Sequence, residues 1–185
     1  MPITINGTGS ISGLSAGGLP DASVTPADLS QPLTQGTAQT TTSGTAIDFT
    51  GIPSWVKRVT VMLNGVSTNG SSVLLIQLGS GSVATTGYIA TATSTGTGGT
   101  VVATSTAGMV VSGNNAAVFA QVGSVIITNV SSNSWVASGD GLQSTGQTSV
   151  MSGSVALSGT LDRIRLTTVN GTDTFDAGSI NILYE

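Results

Sequence analysis

From residue 55 onward the hydrophobic pattern has a period of two. In "WVKRVTVML", Trp55, Lys57, Val59, Val61 and Leu63 fall on one side of an extended chain, while Val56, Arg58, Thr60 and Met62 fall on the other. The first set is the expected core face. "NGVSTNGS" then has turn chemistry, and "SVLLIQLG" is apolar at nearly every position, as in a strand buried on both faces or at a subunit contact. Further strands are predicted at "TTGYIATAT", "GTVVATS", "GMVVS", "AAVFAQV", "SVIITNV", "SWVASGDGL", "QTSVMSGSVAL", "LDRIRLTTV" and "AGSINILYE". Gly, Asn or Ser stands at nearly every junction between them, which suits an antiparallel sandwich or barrel. No run of eleven or more residues has a convincing 3.6-residue period, and Val, Ile and Thr are abundant. The predicted fold is all-β: an antiparallel, jelly-roll-like β-sandwich without fixed-period repeats.

The first part of the chain has neither period. "ITINGTGSISGLSAGGLPDASVTPADLSQP" is nearly uncharged, and "TQGTAQTTTS" after it is a polar tract that ends near Ser43 and Gly44. The only helical signal is "TPADL", where Thr25 suits an N-cap and Pro26 a first helical position, for about one turn through Leu29. With Gly at 7, 9, 13, 17 and 18, the segment is too poor in side-chain surface to fold alone, because glycine loses the most conformational freedom on ordering. Its apolar residues Ile3, Ile5, Ile11, Leu14, Leu19, Val24 and Leu29 are enough to pack against a partner. The chain is therefore divided into an extended arm, residues 1–43, for attachment and oligomerisation, and a β-sandwich, residues 44–185.

Composition sharpens this picture. The length of 185 residues suits one core plus an appendage. Only 6% of the residues are charged, against about 25% in ordinary soluble proteins, so the surface must consist largely of hydroxyls and backbone. Disorder is not expected, because 38% of the residues are hydrophobic and the net charge is only −4. Four basic residues, Lys57, Arg58, Arg163 and Arg165, cannot make the positive stripe that phosphates require, so nucleic acid is excluded as a partner. No apolar run approaches the roughly 20 residues of a spanning helix, so membrane insertion is not expected. Cysteine is absent, which removes disulfides. "MPITING" has no basic or apolar leader region, so folding in the compartment of synthesis is expected.

The absence of His and Cys rules out Ser-His-Asp and Cys-His nucleophile systems and the usual zinc ligand sets. Glycoside cleavage needs only two carboxylates, and Asp173 and Asp176 in "NGTDTFDAGS" are the tightest pair, but the chain has few aromatic residues to hold sugars. No enzymatic activity and no cofactor are expected. The two acids suit capping of a turn or, with nearby carbonyls, a hard cation such as Ca²⁺. Arg163 and Arg165 share one face of a strand and call for an acidic neighbour or a subunit contact. Trp55 and Trp135 suit either the core or a sugar-stacking platform. Tyr88, after "TTG", is the aromatic expected to be exposed and to touch a glycan.

"INGTGSISGLSAGGLPDASVTPADL" resembles the N-terminal segments of bacteriophage tail-fibre and related virion proteins, and "AIDFTGIPSWVKRVTVMLNGVSTNGSSVLLIQLG" and "DTFDAGSINILYE" are similar to the β-domain of the same proteins. The resemblance covers about half the chain and leaves residues 94–148 without a counterpart. It implies a homotrimeric virion surface protein, made in the host cytoplasm and displayed on the particle exterior. Residues 1–43 would then bind other virion proteins, and the β-domain would face outward toward a host surface glycan. A shaft between arm and β-domain, present in longer fibres, is missing. This leaves two roles: a short tail fibre or receptor-binding protein, or a capsid decoration (head fibre) protein that stabilises the head.

Overall fold

Two antiparallel sheets enclose one hydrophobic core in the computed structural model, which describes residues 31–185. The strands are β1 (Thr34–Gln35), β2 (Gln39–Thr40), β3 (Ile47–Thr50), β4 (Arg58–Thr68), β5 (Leu74–Ser80), β6 (Ser82–Val83) and β7 (Ile89–Gly96). They continue as β8 (Gly99–Ser105), β9 (Met109–Val110), β10 (Gln121–Ser131), β11 (Ser134–Gln143), β12 (Gln147–Ala156), β13 (Arg163–Thr168) and β14 (Phe175–Tyr184). No helix occurs among the described residues, so the all-β reading holds. The larger sheet runs β1-β14-β4-β10-β11-β12-β7-β8, with β2 also on β14; the smaller runs β3-β13-β5-β6, with β9 also on β5.

Alternation makes the larger sheet two-faced. Val59, Val61 and Leu63 of β4 point inward, as do Val125 and Ile127 of β10 and Trp135 and Ala137 of β11. Burying each large aliphatic side chain contributes about 1.5–3 kcal/mol. The expected core face of "WVKRVTVML" is thus right for its valines and Leu63, but the strand begins at Arg58. Lys57 is exposed, and Trp55 is half-buried with its ring 6.0 Å from that of Tyr184. Strand β5 is buried on both faces up to Gly79, as its nearly continuous apolar run predicts.

Three segments differ from expectation. The first Asn-Gly of "NGVSTNGS" is no turn: Gly65, at φ 66°, forms a bulge within β4, and the chain reverses only after Thr68. A bulge inserts one residue and shifts the pleat, so Val66 and Thr68 resume the inward phase after Leu63. "AAVFAQV" is mostly not a strand, since the Phe119 N–H closes a turn onto the Ala116 carbonyl and β10 starts at Gln121. The polar tract 34–43, expected to end the arm, lies on the sheet instead. Strands β1 and β2 pair with β14, and the Thr41 hydroxyl donates to the Ala177 carbonyl at 2.7 Å. The compact β-unit accordingly spans Leu33–Glu185, not 44–185. Its polar residues can enter the sheet because β14 offers them unpaired backbone groups. The helical turn expected at Thr25–Leu29 and the arm residues Ile3, Ile5, Ile11, Leu14, Leu19, Val24 and Leu29 lie outside the described residues.

Candidate functional site

Tyr88 is not the exposed aromatic that its Gly-rich surroundings suggest. It is 1% exposed, and its hydroxyl accepts from the Leu78 N–H at 2.7 Å and donates to the Leu78 carbonyl at 3.2 Å. The reason is a gap in the small sheet. On one side of β5, β9 pairs with Leu75 and Ile76 while β6 pairs with Gly79 and Ser80, so no strand faces the Leu78 N–H. The Tyr88 phenol fills that place in the ladder, and its burial pushes its pKa up to about 12. A glycan-contact role for Tyr88 is therefore set aside.

Asp173 belongs to a turn. Its carboxylate accepts from the Ser72 N–H at 2.9 Å and from the Asn170 side-chain amide at 2.6 Å, and it lies close against Gly70. It thereby ties the β4–β5 turn to the β13–β14 loop. Asp176 is exposed at the start of β14. No group of three or more His, Cys, Asp or Glu that would hold a metal occurs among the described residues. Arg163 and Arg165 meet the acids their positions call for. Arg165 binds Asp48 on β3 through two bonds of 2.7 Å, which raises the guanidinium pKa, and Arg163 binds Asp162, whose carboxyl is held below its usual range. Trp135 is a core residue.

What gathers into a site is the outward face of the larger sheet. Ile89 on β7 and Val136 on β11 point away from the core, and Ile89 is 78% exposed. Ser154 of β12 lies between them, paired with both. One row further in, Ser152 of β12 pairs with Thr91 of β7, which pairs with Thr104 of β8. Together with Thr106 these residues wall a concavity of about 820 Å³ that runs across β8, β7, β12 and β11. Ala90, Gly153 and Ala137 also line it. A Cβ added at Gly153 would lie 3.2 Å from Ala90 Cβ, a tight contact on the core side of the sheet.

The site is electrically quiet. Along β8, β7, β12, β11 and β10 the only charged residue on the outward face is Asp140, which is not among those lining the groove. Aliphatic groups flanked by hydroxyls suit a neutral ligand that offers both apolar patches and hydroxyls. Sequence reasoning missed Ile89 and Val136, although the signal was present. In "SWVAS" the alternation that buries Trp135 and Ala137 must turn Val136 outward, where it can meet other outward apolar residues of the sheet. Comparison with protein-family models, with curated proteins and with solved structures gave no match.

Proposed function

We propose that this chain is a structural protein of a bacteriophage virion, displayed on the particle exterior as a short tail fibre or receptor-binding protein that contacts the host surface. In this reading it assembles as a homotrimer, and the segment before Leu33 joins it to other virion proteins. The resemblance of that segment to tail-fibre N-termini motivates the assignment to a virion. The observation that carries the host contact is the neutral groove: Ile89 and Val136 offer an apolar surface to the face of a sugar ring, and Thr91, Thr104 and Ser152 offer hydroxyls to its rim. This replaces Tyr88 as the glycan-contacting element.

Purified protein is expected to bind cells of the bacterium on which the particle grows, and saccharide prepared from their lipopolysaccharide. Ser152→Arg, at an exposed position of the groove, is expected to weaken that binding at least about tenfold, or ~1.4 kcal/mol, without lowering the unfolding temperature. Absence of binding by the unaltered protein overturns the receptor-binding reading.

A second reading, capsid decoration, is favoured by the breadth of the outward face. Val122, Leu142 and Val150 are exposed on it beyond the groove and would suit a surface that lies flat on other proteins. Labelled antibody on intact particles separates the two: label at the tail supports the fibre, label over the head supports decoration.

A further inference from the structure

A sheet edge exposes unpaired N–H and C=O groups and is a template for another strand, so natural sheets keep their edges short, charged, bulged or covered. Most edges of this protein follow the rule. On the smaller sheet, β6 and β9 have two residues each, and β3 has four and carries Asp48 in its ion pair with Arg165. At one side of the larger sheet, β1 and β2 have two residues each and cover β14.

Strand β8 breaks the rule. It ends the larger sheet on the other side, with β7 as its one neighbouring strand among the described residues. It is seven residues long, "GTVVATS", with no charge, no Pro and an unbroken register to β7. Its outward face is open, and its inner face is only partly covered, with Ala103 packed against the core. Val102 points outward with Thr100 and Thr104 and is 59% exposed; Val101 points to the inner side, where the smaller sheet does not cover it, and is still 44% exposed. Two adjacent exposed valines on opposite faces of an unguarded edge are what strand addition would cover.

We propose that β8 pairs with β8 of a second copy of this chain, antiparallel about a twofold axis, joining two larger sheets edge to edge. The strand is suited to itself. Its midpoint is Val102, so full-length antiparallel pairing sets Val102 against Val102, Thr100 against Thr104 and Val101 against Ala103. Valine pairs and threonine pairs are favourable cross-strand neighbours, and no like charges are opposed. A strand chosen by charge would find nothing to recognise on β8, whereas a second copy finds its own neutral pattern. An isologous contact of this kind closes at two copies. The proposal rests on the edge and uses none of the residues before Leu33; it shares Thr104 with the groove wall, and in a homotrimer the same twofold contact would join chains of two trimers.

The chain contains no cysteine, so a single introduced thiol reports on its own surroundings. Val102→Cys, in the full chain at micromolar concentration and treated with a short bis-maleimide, is expected to give a covalent dimer on a denaturing gel. It should form at least about tenfold faster than with Val150→Cys, a similarly exposed position on the same outward face, because pairing raises the effective thiol concentration toward the millimolar range. Equal rates at the two positions, or no dimer from Val102→Cys, overturn the proposal. Val102→Lys, which sets two like charges against each other across the axis, is expected to lower the mass measured by sedimentation with the β-type circular dichroism unchanged. An unchanged mass in that folded variant also overturns it. Neither measurement involves host binding or particle incorporation, so the virion reading and the edge pairing fail separately.

Discussion

The two ends of the larger sheet solve the same problem in different ways. At the β14 end the terminal strand is covered along its length. β1 pairs with Leu183 and Tyr184, the Gly36 N–H donates to the Ile182 carbonyl at 2.8 Å, β2 pairs with Ser179 and Ile180, and the Thr41 N–H reaches the Gly178 carbonyl at 3.0 Å. At the β8 end nothing comparable happens among the described residues: the strand is longer than any other edge strand, yet Thr100, Val101, Val102 and Thr104 stay exposed. Sealing needs chain that has little else to do, and the polar tract 34–41 provides it. A long, uncharged edge left open is a template for another strand.

The most severe way to break the contrast is to damage the sealed end. Gly178 sits at φ 94° on β14 and faces the bulge of β4, where an added Cβ would overlap the Gly65 carbonyl and the Val66 nitrogen. A side chain there meets a left-handed backbone and rigid main chain at once. Gly178→Ala is therefore expected to cost more than about 3 kcal/mol, read as a large fall in denaturant midpoint. Gly98, in the β7–β8 turn at the open end, has nothing within 4 Å of an added Cβ. Gly98→Ala should change stability by no more than about 0.5 kcal/mol. Comparable losses in the two variants would mean that the β8 end is packed as tightly as the β14 end.

Tyr88 shows a third way to close a ladder, by a side chain. Tyr88→Phe leaves the buried Leu78 N–H without its acceptor and is expected to cost about 1–3 kcal/mol. Burial of the same phenol gives a pH test. The phenol titrates near 10.0 when unfolded and at about 12 when folded, so the folded state retains its proton where the unfolded state has lost it. The stabilisation is complete below pH 10 and is lost as pH rises through 12, by about 3 kcal/mol. In Tyr88→Phe this part of the alkaline decline should disappear. A decline of equal depth in the variant would show that another group governs it.

These closures explain which parts of the fold were legible in the sequence. "GTVVATS" is β8 residue for residue, and "SWVASGDGL" and "QTSVMSGSVAL" contain β11 and β12 nearly whole, because their alternation and flanking turns are local properties. What escaped was set by distant partners. Asn64-Gly65 and Asn69-Gly70 have the same local chemistry, but β10 and β14 continue past the first and convert it to a bulge. Tyr88 follows a loop-like "TTG", and only the gap between β6 and β9 draws it inward. The tract 34–43 has no hydrophobic period, since its place on β14 depends on backbone pairing and not on an apolar face. The groove needed the phase of four strands at once: β7, β8, β11 and β12 each turn at least one residue toward it, and none of the four is notable alone.

A milder change at the sealed end tests whether backbone coverage there is reinforced by side chains. Thr41 is fully buried, and its hydroxyl donates to the Ala177 carbonyl, so Thr41→Ala removes one bond and is expected to cost about 1 kcal/mol by chemical denaturation. A neutral result would leave the covering of β14 to main-chain bonds alone.

The smallest effect is expected where an edge is protected by charge. Asp48 and Arg165 meet in a two-bond pair between β3 and β13, but both side chains remain more than a third exposed, and solvent screens most of their attraction. Asp48→Asn should therefore change stability by less than about 1 kcal/mol, and by less still in 1 M salt, where the screening length falls to about 3 Å. The residue matters more for what it prevents. With Asp48 neutral, β3 becomes an uncharged edge like β8, though only four residues long. If length is what lets an edge recruit a partner, Asp48→Asn keeps the sedimentation mass of the unaltered protein. A higher mass would show that charge, and not shortness, keeps this edge unpaired, and that β8 differs from β3 chiefly in lacking a carboxylate.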